Sequence, residues 1–257
     1  METSILITGG SSGLGAALAQ SYAAPDVTLF LSGRDAARLE GVAARCRAKG
    51  ACVEATIVDV TDGAAMASWI DQCDQTAPLN LVIANAGISA GTGGGGETPA
   101  QTKAVMETNV QGVFNTIHPA LALMKPRGRG QIAIMASLAS FRGLAGAPAY
   151  CASKAAVRVY GEALRDELAP QGIKINVICP GFVKTPMTGQ NGFPMPFLME
   201  ADKAARIMKR GLEKNKARIV FPWRLAALVW LMSALSPNLA DGLFRRLPRK
   251  RGVESLG

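Results

Sequence analysis

Six short apolar runs punctuate this chain, each closed by a turn and most followed by a helical pattern, and this rhythm limits the fold more than any other feature. The runs cover residues 4–8, 27–32, 51–58, 79–84, 131–137 and 173–179. Strands that alternate with helices need long crossover connections, which join parallel strands and are right-handed. The expected fold is therefore α/β: a doubly wound parallel sheet in three layers, α/β/α. A chain of 257 residues is long for one domain, yet single α/β domains often reach ~250 residues. One catalytic domain is expected over residues 1–221, with residues 222–257 as an apolar and basic helical extension.

The first run leads directly into TGGSSGLG and then a helical stretch, so strand, glycine turn and helix follow one another. Gly9, Gly13 and Gly15 leave room for a tight turn and for a pyrophosphate to approach backbone N–H groups at the helix N-terminus. A glycine-rich turn with no chemical consequence is the alternative. After the second run stands Gly33, in the slot where an acidic residue would bind an adenosine ribose, and Arg34 follows with the charge and fork geometry for a phosphate. NADP(H) is thus expected over NAD(H), with Ser12 as an additional hydroxyl, while Asp35 suits a helix N-cap. Asp59, closing the third run, fits an adenine contact or a turn equally. Asn85, Ala86 and Gly87 follow the fourth run, where ligands bind open parallel sheets.

The fifth run ends at Ser137, and from it extends SLASFRGLAGAPAYCASK, with Tyr150 and Lys154 four residues apart. One helical turn puts both on one face, beside Val157, Gly161, Leu164 and Leu168. A free phenol has a pKa near ~10, and a nearby ammonium favours its ionised form, so the pair reads as a general acid/base. Chance spacing on a packed helix explains the same pattern until the rest of the chain supplies context.

Upstream, GTGGGG at 91–96 reads as a surface loop, and Thr98, Pro99 and Gln101 form a capping box that opens a long helix. That helix carries Asn109, either a satisfied packing group or one that deforms the helix and holds a water. After the sixth run, Thr185 and the adjoining main chain are placed to hold a nicotinamide carboxamide. Residues 182–199 are rich in Phe, Met and Pro, a lid that either packs on the body or faces an apolar substrate.

Several classes are disfavoured. The five cysteines are odd in number and lack CxxC spacing, so neither a disulfide framework nor a metal site is indicated. A Ser-His-Asp triad would rest on His118, the only histidine. The opening METSILITGG has no basic segment and no long apolar run, so no signal peptide is expected, and the expected compartment is the cytoplasm. Of the net charge of +9, none lies in residues 1–205, which carry 16 basic and 16 acidic side chains; residues 206–257 carry 12 and 3. This asymmetry argues against a nucleic-acid partner for the whole chain and for an acidic surface at one end. The apolar run 225–235 is far short of the ~20 residues that span a bilayer. With Trp223, Trp230, Arg245, Arg246, Arg249, Lys250 and Arg251, it fits peripheral contact with the inner face of a membrane through 222–251, or burial on a second subunit.

Taken in order, TGGSSGLG, Asp59, NAG at 85–87, Asn109, Ser137, YCASK at 150–154 and PGFVKT at 180–185 resemble a short-chain dehydrogenase/reductase of the compact, one-domain kind, over about residues 4–190. The resemblance implies a Rossmann fold and reversible hydride transfer between a nicotinamide and a carbonyl or secondary alcohol. It implies Tyr150 as proton donor, Ser137 orienting the carbonyl oxygen, Lys154 lowering the tyrosine pKa and binding the nicotinamide ribose, and Asn109 holding a relay water. It places the coenzyme against Gly9, Ser11, Ser12, Gly13, Leu14, Gly15, Arg34, Asp59, Val60, Asn85, Ala86, Gly87, Tyr150, Lys154, Pro180, Gly181, Val183 and Thr185. The chain departs from the family in lacking the glycine-rich ending that closes a tetramer in many compact members, so a dimer is the expected oligomer. A silent NADP(H)-binding regulator or membrane-associated scaffold is the competing function.

Overall fold

Ile5, Leu6 and Ile7 are buried on both faces of the first strand, as at the centre of a parallel sheet covered on both sides. The structure, a computed structural model, describes residues 3–90, 96–144 and 146–234. In chain order it runs β1 (Thr3–Ile7), α1 (Gly13–Tyr22), β2 (Val27–Gly33), α2 (Ala36–Arg47), β3 (Cys52–Ile57), α3 (Gly63–Thr76) and β4 (Leu81–Ala84). There follow α4 (Pro99–Met106), α5 (Gly112–Arg127), β5 (Gly130–Met135), α6 (Pro148–Leu168), β6 (Ile173–Pro180), α7 (Pro186–Gly189), α8 (Ala201–Glu213), β7 (Arg218–Phe221) and α9 (Trp223–Ala234).

The seven strands are parallel, in the order β3-β2-β1-β4-β5-β6-β7. Ile5 is paired with Leu29 on one side and Leu81 on the other, so the sheet grows outward from β1 in both directions. This reversal leaves a crevice above the carboxyl ends of β1 and β4, where open α/β sheets bind ligands. Side chains alternate across the pleat: Ile5, Ile7, Leu29 and Leu31 pack with α1, α2 and α8, while Leu6, Phe30, Val82 and Ile132 pack with α3, α5 and α6. The three-layer doubly wound fold is as the sequence predicts.

Local chemistry sets the helix starts. Asp35 and Asp62 accept from Arg38 N and Ala65 N, each at 2.9 Å, and Thr98 with Gln101 makes the expected capping box. Three features differ from the sequence reading. The segment 173–179 is not the last strand, because the four residues of β7 pair with it, Val177 opposite Arg218 and Pro180 opposite Phe221. A run of four with an exposed arginine at its head carries too little periodicity to be read alone. The helix begun at Thr98 is interrupted by a π-helical turn, Glu107–Gln111, with Asn109 fully buried within it. The lid is mostly irregular: α7 is its only helix among the described residues, and Val183 and Met199 close it with a parallel bridge. Most of the GTGGGG loop and the basic cluster at 245–251 lie outside the described residues.

Candidate active site

The turn after β1 is fixed by close approach. Gly9 has φ of +66°, and a Cβ there would lie 2.9 Å from Ala86 Cα; one at Gly15 would lie 2.2 Å from the Gly9 carbonyl oxygen. The start of α1 therefore sits directly on the turn. Thr8 Oγ1 accepts from the N–H groups of Asn85 (3.1 Å) and Ala86 (3.2 Å), and Asn85 Nδ2 donates to the carbonyls of Thr8 (2.9 Å) and Gly9 (3.1 Å). Asn85, expected as a ligand contact, thus spends its amide lacing the ends of β1 and β4 together. Thr8 was missed in the sequence reading; as a hydroxyl ending a buried strand, it carried a weak signal.

A cleft of about 280 Å³ runs over these strand ends. It is lined by Gly9, Ser11, Ser12, Gly13, Leu14, Arg34, Asp59, Val60, Asn85, Ala86, Gly87, Ser137, Tyr150, Lys154, Pro180, Gly181, Val183 and Thr185. Of the residues predicted for the site, Gly15 and Asn109 stand behind its wall. At one end Arg34 Nη1 lies 4.0 Å from Asp59 Oδ2, both side chains about half exposed. Asp59 Oδ1 also accepts from Thr61 N and Thr61 Oγ1, each at 2.9 Å, so it starts the turn as well as lining the cleft. Ser32, another residue the sequence reading missed, lines the same end with its Oγ buried and unpartnered. Ser12 stands at the N-cap of α1, but its side chain makes no capping bond.

At the other end, β5 delivers Ser137 and α6 delivers Tyr150 and Lys154. Ser137 Oγ accepts from Ala139 N at 3.1 Å and so caps a single 3₁₀ turn, Leu138–Ser140. Lys154 is buried, and its Nζ donates to the Met135 carbonyl at 2.8 Å while lying 5.9 Å from the centre of the Tyr150 ring. Tyr150 opens partly onto the cleft, yet its hydroxyl is deep. Burial pushes its pKa up, and a hydrogen bond with Ser137 pulls it back. Burial also lowers Lys154 to about 8. The expected depression of the tyrosine by the lysine is therefore not seen: burial raises the phenol, and the group that pulls it back is Ser137.

Asn109 reinforces this end from behind. Its Oδ1 accepts from Ile88 N (2.8 Å), and its Nδ2 donates to Ile88 O (2.9 Å) and Ser153 Oγ (3.0 Å). Ser153 Oγ in turn donates to the Tyr150 carbonyl at 2.8 Å, which ties the π-helical turn to the helix carrying the tyrosine. Both readings of Asn109 therefore hold in part: the helix is deformed there, and the amide is satisfied by packing partners. His118 is elsewhere, bonded to Tyr160 Oη at 2.8 Å and stacked on Phe114, so it forms no triad with Ser137. Among the described residues no group of His, Cys, Asp or Glu is arranged to hold a metal.

Thr185 caps α7 through Thr188, and its Cγ2 would meet a Cβ on Gly13 at 3.3 Å, so the lid and the glycine turn touch across the cleft. Within the lid, Phe182 and Phe193 pack edge to face at 6.0 Å between ring centres, whereas Met187 lines the cleft.

The donors suit a polyanionic dinucleotide: backbone N–H groups at the start of α1, a turn that a Cβ would fill, an orphaned buried hydroxyl at Ser32 and a guanidinium at the rim. A parallel sheet that reverses its strand order beneath such a trough defines the class, a Rossmann-type α/β protein with a dinucleotide site. The chain belongs to the short-chain dehydrogenase family, whose model matches residues 3–193. It is 40% identical to an uncharacterised oxidoreductase of Myxococcus xanthus, across 94% of this chain and 96% of the relative. A short-chain dehydrogenase from Sphingobium yanoikuyae, solved in complex with NADPH, is 27% identical and superposes with a TM-score of 0.81, over 98% of this chain and 99% of that one. A short-chain dehydrogenase/reductase from Burkholderia phymatum, solved with NAD, is 23% identical with a TM-score of 0.82, over 96% of each chain, and shares the fold. The chain is accordingly an oxidoreductase of this family.

Proposed function

We propose that this protein is an NADP(H)-dependent oxidoreductase that interconverts a carbonyl and a secondary alcohol on an apolar substrate. The observation that carries the reading is the convergence of Ser137, Tyr150 and Lys154 on the cleft that also holds the glycine turn and Arg34. A bound nicotinamide supplies the hydride for reduction and accepts it in oxidation.

The chain's own groups do the rest. Tyr150 gives its proton to the carbonyl oxygen in reduction and takes it back in oxidation, while Ser137 Oγ holds that oxygen in line. Because burial raises its pKa, Tyr150 stays protonated near neutral pH, the form that reduction uses. Lys154 contributes positive charge beside the phenol and a donor for a ribose hydroxyl, and Asn109 fixes the loop at Ile88 around them. Arg34, next to a glycine where an acid would repel a 2′-phosphate, supports the choice of NADP(H), as does the relative solved with NADPH. Met187 on the cleft wall supports an apolar substrate. Five free cysteines, four of them buried, support a reducing cytoplasm as the working compartment.

Purified protein assayed with NADPH against lipophilic ketones and aldehydes tests the reading. Turnover is expected, with Tyr150→Phe about 10²- to 10⁴-fold slower at unchanged coenzyme affinity. Full activity in Tyr150→Phe, or none in the wild type, rejects it.

A further inference from the structure

The helix α9 packs against the body along one edge only. Leu225 is 7% exposed, and Val229 and Met232 are half-buried along the same edge. The opposite face is apolar and open: Trp223 is 72% exposed, Leu228 48%, Trp230 68% and Leu231 58%, with Ala227 and Ala234 between them. Arg224 is the only charged residue among the described residues of this helix. Among the described residues nothing covers this apolar face, and an exposed apolar helix face marks a site of contact.

Its location ties that contact to the cleft. Gly181 lines the cleft, and a Cβ on it would lie 2.8 Å from Leu225 Cδ2 and 3.1 Å from Leu138 Cδ1, so α9 leans directly on the back of the cleft wall. Arg142, just beyond the turn that Ser137 begins, donates to the Met232 carbonyl at 3.3 Å. The helix that carries the open face therefore stands against the outside of the cleft wall, next to the end that holds Ser137 and Tyr150.

We propose that this face docks on an anionic lipid surface and that the substrate reaches the cleft from that surface. It would be a bilayer-resident amphiphile with its carbonyl or alcohol near the headgroups. The proposal rests on the oxidoreductase reading above and names its substrate class. Three observations favour lipid over a second copy. Two of the chain's three tryptophans sit on the open face, as at membrane interfaces. Among the described residues no helix is long and apolar enough to cross a bilayer, and an apolar helix with an open face suits the bilayer interface. Charge points the same way: residues 206–257 carry 12 basic and 3 acidic side chains, a composition that an anionic surface attracts and that disfavours pairing with a second, equally basic copy.

The test uses the full chain with vesicles of phosphatidylcholine, with and without phosphatidylglycerol, and the variant Trp230→Glu/Leu231→Glu, which changes exposed side chains only. The wild type is expected to float with phosphatidylglycerol vesicles, less at high salt, and the variant to remain in solution. With a long-chain ketone carried in the vesicles, wild-type kcat/KM is expected to rise about tenfold or more with phosphatidylglycerol and the variant's to show no rise. Equal flotation of both proteins overturns the proposal, as does a variant that turns a dimer into a monomer. A short water-soluble ketone keeps the two readings apart: equal turnover by both proteins is expected, and none by either rejects the oxidoreductase reading while flotation still judges the docking face.

Discussion

Tyr150 and Lys154 show how one environment sets opposite requirements for two neighbours. Burial holds the proton on the phenol and loosens it from the ammonium, whose pKa falls to about 8. Carbonyl reduction should therefore be level below about pH 8 and fall above it as Lys154 loses its charge, measured as kcat/KM against pH. In Lys154→Arg, which keeps its charge, the falling limb should move to higher pH even if the rate drops; an unmoved limb assigns it to another group. The same shift has a sign for stability: with a folded pKa below the unfolded one, Lys154 is a cost at neutral pH that fades between about 8 and 10.5. At the far end of the cleft, Arg34→Ala should raise the KM for NADPH about ten- to a hundredfold, the worth of a charge-assisted hydrogen bond, and change that for NADH little. Equal losses for both coenzymes mean that Arg34 does not read the 2′-phosphate. The identity and spacing of these residues were legible in the sequence. Their ionisation was not, because it depends on how much water the surrounding elements exclude.

Among the elements, α6 matters most, since it holds the tyrosine and lysine while lying on the sheet. Its approach is set by Gly161, where a Cβ would come within 2.8 Å of Val177 Cγ2 and 2.9 Å of Ile134 Cδ1. Gly161→Ala should push α6 off β5 and β6, costing about 1–3 kcal/mol in thermal or denaturant unfolding. It should also lower kcat more than coenzyme affinity, because Tyr150 moves and the glycine turn does not. The helical period of this segment and the glycine in it could be read from the sequence. The π-helical turn at Asn109 could not, since Thr98 to Arg127 reads as one helix until Ile88 and Ser153 arrive to bond the amide. Nor could β7, whose pairing with β6 is what makes four residues a strand.

For the whole molecule, the working face and the fastening are at opposite ends of the sheet. Away from the cleft, Arg127 Nη1 clamps both carboxylate oxygens of Asp74, at 2.8 and 2.7 Å, and Asp74 also accepts from Leu79 N at 2.8 Å. This joins the end of α3, the end of α5 and the approach to β4. Asp74→Ala leaves a partly buried guanidinium and an amide without partners, a loss of about 1–3 kcal/mol. The melting temperature should fall by roughly 2–6 °C for a chain of this size, with kcat unchanged wherever the protein is folded. A fall in kcat at low temperature would show that the two ends are coupled.

The sequence by itself determined what depends on neighbours a few residues away: the apolar runs, the caps at Asp35, Asp62 and Thr98, the glycine turn, and the spacing of Tyr150 and Lys154. Tertiary structure alone decided what depends on partners far along the chain. Thr8 and Asn85 lace two strands across 77 residues, Lys154 reaches the carbonyl of Met135, and α9 lies against Gly181. Periodicity and propensity carry the first kind of information because they are local. Burial and pairing carry the second, and they exist only once the layers have closed.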